Sequence, residues 1–196
     1  MVEDPSGRRA HTEVGIHPPI AARWSPRAFD PDATLERTDL LALLEAARWA
    51  ATWGGRQPVR FLVGRRGDET FVTIAATLRR GNSYARAASA LIVLCVDEGE
   101  DERTALYSAV DVGAAMANLS IEAVARGLAV HPMAGFDPVA LHRDLELGEL
   151  RPLVVVAVGR LGDYDAVAPE MAERDRRPRE RLPLSDIVLN WPLGDA

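Results

Sequence analysis

Apolar residues recur along this chain with two distinct periods. Leu40, Leu43, Leu44, Ala47 and Ala51 fall at helical spacing and predict a helix over 35–51, with Thr34 or Asp32 placed to cap it. A short apolar run over 59–64 reads as a strand, and 69–80 reads as a helix ending at Gly81-Asn82. ALIVLCV over 90–96 and LVVVAVG over 153–159 are unbroken apolar runs, as expected of buried strands. Between them, 105–126 reads as a long helix with few charges and many small residues, ending at Gly127. A helix that apolar must be covered on most sides, and in a chain of this size a second subunit is a natural cover. Residues 130–136 read as a connecting segment, 138–145 as a short helix, and the stretch from Asp163 as a polar tail rich in arginine and proline. Helices alternating with short apolar strands predict an α+β or α/β sandwich, a sheet flanked by helices.

Length narrows this to one domain: 196 residues hold one substantial core but not two. The polar first stretch, 1–19, is expected to be a flexible arm and 20–196 the domain, with a C-terminal arm. A net charge of −6 disfavours nonspecific nucleic-acid binding. No apolar run approaches the roughly 18–20 residues that span a bilayer, so no membrane partner is expected. No signal-peptide pattern is visible, and the single cysteine, Cys95, reads as a buried thiol; both point to the cytoplasm.

The basic side chains sharpen the chemistry. All 23 are arginine, so Schiff-base lysine chemistry and a Walker-type phosphate lysine are excluded. An anion site must use arginine, backbone amides or histidine. Two segments offer arginine at useful spacing: RWSPRAF over 23–29 and RRPRERLP over 176–183. Alone, each reads as a surface loop or solvated tail. TWGGRQP over 52–58 contributes flexible glycines and Gln57, which both donates and accepts. His131 has no partner at metal-ligand spacing, and no metal site is expected. There is no catalytic-triad signature and no G-x-G-x-x-G fingerprint. If the chain is an enzyme, a bound cofactor carries the hard chemistry.

These segments, in this order, resemble the nitroreductase superfamily over about residues 20–183. RWSPRAF matches its opening R-x-S-x-[RK]-x-F. Residues 45–51 followed by TWGGRQPVRF match E-A-A-x-x-A-P and S-x-x-N-x-Q-P-W-x-F. Residues 111–128 match D-x-G-x-x-x-x-N-x-x-L-x-A-x-x-x-G-L, residues 135–137 the G-F-D turn, VVVAVG a strand ending in V-G, and RERLP the basic [KR]-x-R-x-P.

The resemblance implies an α+β fold with a central, mostly antiparallel sheet flanked by helices, built as an intertwined homodimer with FMN sites at the interface. It implies hydride transfer from NADH or NADPH, by way of flavin N5, to a small organic acceptor of the quinone, nitroaromatic or enone class, with ping-pong kinetics. Arg23 and Ser25 would hold the phosphate and ribityl end, with Trp24 and Gln57 among the cofactor contacts. Arg27 would face the flavin N1/O2 edge and stabilise the reduced flavin. Ala134 and Gly135 would approach N5, Asn82 would match a flavin-contacting asparagine loosely, and Arg179 and Arg181 would complete the phosphate site. Two positions depart from the pattern: Gly55 stands for the family asparagine and Val59 for its tryptophan. They put the acceptor in question. They also leave room for a non-redox FMN-binding protein, or for a relative with flavin fragmentation, dehalogenation or biosynthetic dehydrogenase chemistry.

Overall fold

Every residue of the run Ala90–Val96 is buried. Leu91, Val93 and Cys95 enter one core while Ala90, Ile92, Leu94 and Val96 enter another. A strand covered on both faces has no polar side to show, which is why its sequence does not alternate. The computed structural model describes residues 7–192. Strands β1 (Val59–Arg65), β2 (Ala90–Val96), β3 (Ala129–Met133) and β4 (Arg151–Gly159) pair in the order β1-β2-β4-β3. All three ladders are antiparallel. The register slips between Leu94 and Cys95, which lies opposite Pro152, a residue with no N–H to give the ladder.

Helix α1 (Pro18–Ala22) is followed by α2 (Arg37–Arg48), α3 (Glu69–Thr77), α4 (Glu102–Ala125) and α5 (Pro138–Asp144). Leu40, Leu43 and Ala47 of α2 join Val112, Ala115, Leu119 and Ala123 of α4 on one face of the sheet. Phe71 and Ile74 of α3 and Leu141 of α5 cover the other. The expected architecture, helices on both faces of an antiparallel sheet, is the one found. Cys95 lies buried, and burial pushes its thiol up to about 11. Among the described residues no helix is long and apolar enough to cross a membrane.

Three expectations need correction. The segment expected to be a connector after α4 is strand β3. Pro132 inside it conceals the strand, and the structure accommodates that proline because β3 is an edge strand bonded only to β4. Neither Thr34 nor Asp32 caps α2, whose N-cap is Glu36 without a side-chain bond. The chain there is turned instead by Asp30, which accepts from the N–H groups of Asp32 and Ala33. The polar tail contains α6 (Pro169–Arg176) and α7 (Leu184–Ile187). Only Ala172 and Asp175 of α6 are buried, so no apolar period announces it. Asp68, Asp101 and Asp137 cap α3, α4 and α5 through their side chains.

The contact between β1 and α3 is closer than side chains allow. A Cβ on Gly64 would lie 2.5 Å from both the Cα and the N of Phe71. Gly64→Ala is therefore expected to destabilise the fold by about 1–3 kcal/mol, the usual cost of overpacking. Thermal unfolding checks this, and an unchanged midpoint would show that α3 can slide away freely.

Candidate active site

The segment 23–29 leaves α1 and runs beside the chain that continues β4. Phe29 forms an antiparallel bridge with Leu161, the Gly162 N–H donates to Ala28 O, and the Asp30 N–H donates to Arg160 O. A Cβ on Gly162 would meet the Phe29 carbonyl carbon and oxygen at 2.6 Å, so only glycine permits this approach. Arg179, expected at a phosphate, is a staple here. Its guanidinium donates to the carbonyls of Arg8, Ala21 (3.4 Å) and Arg23 (2.8 Å). One planar donor fork thus joins the first residues, the end of α1 and the C-terminal tail. Of the segment expected to be a loose arm, residues 1–6 lie outside the described residues, and the rest is held at this point and by the Ala10 N–H bond to Ala21 O.

These ties shape a cleft of about 390 Å³. It is lined by Arg23, Trp24, Ser25, Arg27, Arg179 and Arg181, together with Arg8, Arg174 and Asp175. Five of the residues expected to contact the cofactor come from 23–27 and 179, and Arg181 makes six, brought together from the two ends of the chain. Arg23 donates to Ser25 Oγ at 3.2 Å. Burial, and then the charge of Arg181, hold the Arg23 guanidinium below its ordinary range. Two like charges face one open space, which a bound dianion would relieve. The volume suits a small organic ligand and the donors suit its phosphate. FMN fits this donor set.

Arg27 lines the cleft with its charge already paired. Its Nη1 lies 2.5 Å from Asp175 Oδ1, and its backbone N–H donates to Asp175 Oδ2 at 2.6 Å. Tyr164 donates its hydroxyl to the same Oδ2 at 2.8 Å. The Arg27 guanidinium also stands 5.9 Å from the centre of the Tyr84 ring.

Asn82, Ala134 and Gly135 lie outside the cleft lining and form a second group. Asn82 Nδ2 donates to Gly135 O at 2.9 Å, and a Cβ on Gly135 would sit 2.5 Å from that nitrogen. A buried hydrogen-bonded chain from Tyr84 through His131 to Pro26 lies between the two groups, with Asn82 beside its hydroxyl end. Tyr84 Oη lies 3.4 Å from Asn82 Oδ1 and 3.0 Å from His131 Nε2, while His131 Nδ1 lies 2.9 Å from Pro26 O. Burial pushes the His131 ring down, so it stays neutral, with Nδ1–H donating to Pro26 and Nε2 accepting from Tyr84. Burial likewise raises the Tyr84 hydroxyl well above its ordinary value, and it remains a donor. Gln57 is exposed between the Trp53–Gly55 turn and β1, apart from both groups. Gly55 has φ +69° with open space beside its Cα.

Sequence reasoning missed Arg8, Arg174, Asp175, Tyr84 and Tyr164. Asp175 could have been noticed as a lone acid among arginines, but nothing local says that it is buried or that its partner lies 148 positions away.

The nitroreductase family model matches residues 20–77 and 65–160. A 15.4 kDa protein from the ask 5′ region of Mycolicibacterium smegmatis is 56% identical over 148 residues, covering 70% of this chain and 99% of that protein. The crystal structure of an oxidoreductase containing FMN is 26% identical, with a TM-score of 0.84, covering 97% of this chain and 99% of that one. A candidate nitroreductase in complex with FMN from Desulfovibrio desulfuricans shares the fold, at 24% identity and a TM-score of 0.75, covering 92% and 100%.

Proposed function

The chain belongs to the nitroreductase family, and we propose that it is an FMN-dependent oxidoreductase that takes hydride from NADH or NADPH and reduces a small organic acceptor as a homodimer. The observation that carries this reading is the arginine cleft. Arg23, Arg174 and Arg181 line it and outnumber its two acids, Asp175, which is committed to Arg27, and Glu180, while Ser25 adds a hydroxyl.

When bound, FMN supplies a two-electron relay between a hydride donor and an acceptor. The chain's own residues bind and orient. Arg23, Ser25 and Arg181 hold the phosphate, and Arg27, paired to Asp175, directs its remaining N–H donors toward the pyrimidine edge. The Asn82–Gly135 bond fixes the loop meant to approach N5, since Asn82 occupies the space a side chain at 135 would need. The Tyr84–His131–Pro26 chain, whose hydroxyl end lies beside Asn82, braces that loop against the Arg27 loop. Donor and acceptor using the same face in turn would give ping-pong kinetics. Quinones, nitroaromatics and enones are the acceptor classes to test.

The purified protein, loaded with FMN and desalted, is expected to keep flavin absorbance. Anaerobic NADH or NADPH should bleach it, and a quinone should restore it. Free passage of FMN through the column at micromolar protein would overturn the cofactor reading. A stable flavin spectrum that neither reductant alters would leave a binding protein in place of a reductase.

A further inference from the structure

Helix α6 is polar over most of its length, yet one of its two buried residues is a carboxylate. The Asp175 side chain is 1% exposed, against 23% for its partner Arg27. Burying a carboxylate is costly unless it is fully bonded, and this one is. Oδ2 accepts from the Arg27 N–H and from the Tyr164 hydroxyl, and Oδ1 accepts from Arg27 Nη1. The same group therefore grips the backbone and the side chain of Arg27 at once. It does so in the lining of a cleft dominated by arginine, where an acid opposes the prevailing charge. Arg27 stands closer to solvent than the carboxylate behind it. A guanidinium has five N–H donors and only Nη1 is engaged by Asp175, so other donors remain for a ligand.

We propose that Asp175 is a positioning residue that lowers the reduction potential of the bound flavin by holding Arg27 in place and neutralising its charge. This rests on the FMN reading above. An unpaired cation at the pyrimidine edge favours the reduced, more negative cofactor. A neutral Arg27–Asp175 pair keeps the directed donors and removes most of that bias. Tyr164 adjusts it in the other direction, because its hydroxyl withdraws charge from Asp175.

The two contacts make opposite predictions, and loosening of α6 alone cannot produce opposite signs. Asp175→Asn preserves shape and removes charge. Its flavin midpoint potential should rise by at least the equivalent of a tenfold shift in the redox equilibrium, about 30 mV for a two-electron couple. Tyr164→Phe leaves the carboxylate more negative, and its potential should fall. Asp175→Glu, which retains the charge, should lie nearer the parent than Asp175→Asn does. The potentials are measured by anaerobic titration against reference dyes, with FMN affinity followed by fluorescence. An unchanged or lower potential in Asp175→Asn overturns the proposal. If Asp175→Asn does not fold, Tyr164→Phe decides: a lower potential supports the proposal, and an equal or higher one overturns it. A parent protein that binds no FMN overturns the cofactor reading and this proposal together. Flavin-loaded variants at the parental potential overturn only this one.

Discussion

Arg23→Ala is expected to weaken FMN binding by roughly 10- to 140-fold while affecting riboflavin far less. Charge-assisted hydrogen bonds to an anion contribute about 1.5–3 kcal/mol, and each 1.4 kcal/mol is tenfold. Arg23 is partly buried and faces Arg181 across the cleft, so its charge is held at a cost that a phosphate would offset. Riboflavin has no phosphate to do so. Arg181→Ala should show the same selectivity with a smaller loss, because Arg181 is exposed and water screens it. Arg179→Ala should behave differently. Its guanidinium holds three carbonyls in two separate segments, so its removal should lower the melting temperature and weaken both ligands alike. Isothermal titration of each variant with FMN and riboflavin separates these outcomes. Equal losses of both ligands in Arg23→Ala would show that this arginine reads no phosphate.

Gly113→Arg is expected to raise the dimer dissociation constant by at least about a hundredfold, since it would force a charge into a buried contact. The argument begins inside one chain. Ser108, Asp111, Val112, Ala115, Leu119, Ser120 and Ala123 turn α4 toward the sheet. On the outer side Leu106 and Val110 are 62% and 59% exposed, and Gly113 and Ala117 continue the same stripe at spacings of three and four. Gly113 sits in the middle of a 24-residue helix, where glycine costs about 1 kcal/mol relative to alanine. Among the described residues nothing lies within 4 Å of a Cβ built there. In the proposed homodimer, close approach by a second copy of the helix would supply the reason. Light scattering should give twice the 21.3 kDa chain mass for the parent and the single mass for the variant at micromolar concentration. A parent of monomer mass would refute the dimer. An intact dimer in Gly113→Arg, with Gly113→Ala more stable than the parent, would place the interface elsewhere.

The part of this protein that its sequence determined alone is the part in which neighbouring residues carry the signal. Ala90–Val96 and β4 declare themselves as strands because both their faces are apolar, and α4 declares itself by length and composition. The arginine segments could be read because each packs several chemical groups into a few positions. Polar structure with distant partners stayed hidden. Strand β3 contains a proline that only an edge position excuses, and α6 turns inward on a single carboxylate. No local rule separates Asp175 from the other acids of a charged tail. Its burial depends on Arg27, Tyr164 and the loop that Gly162 lets approach. The sequence could show that arginines were available for an anion. Which of them face the cleft, which staple carbonyls and which is held by an acid were decided by the tertiary structure, because hydrogen bonding pairs groups by distance in space and not by distance along the chain.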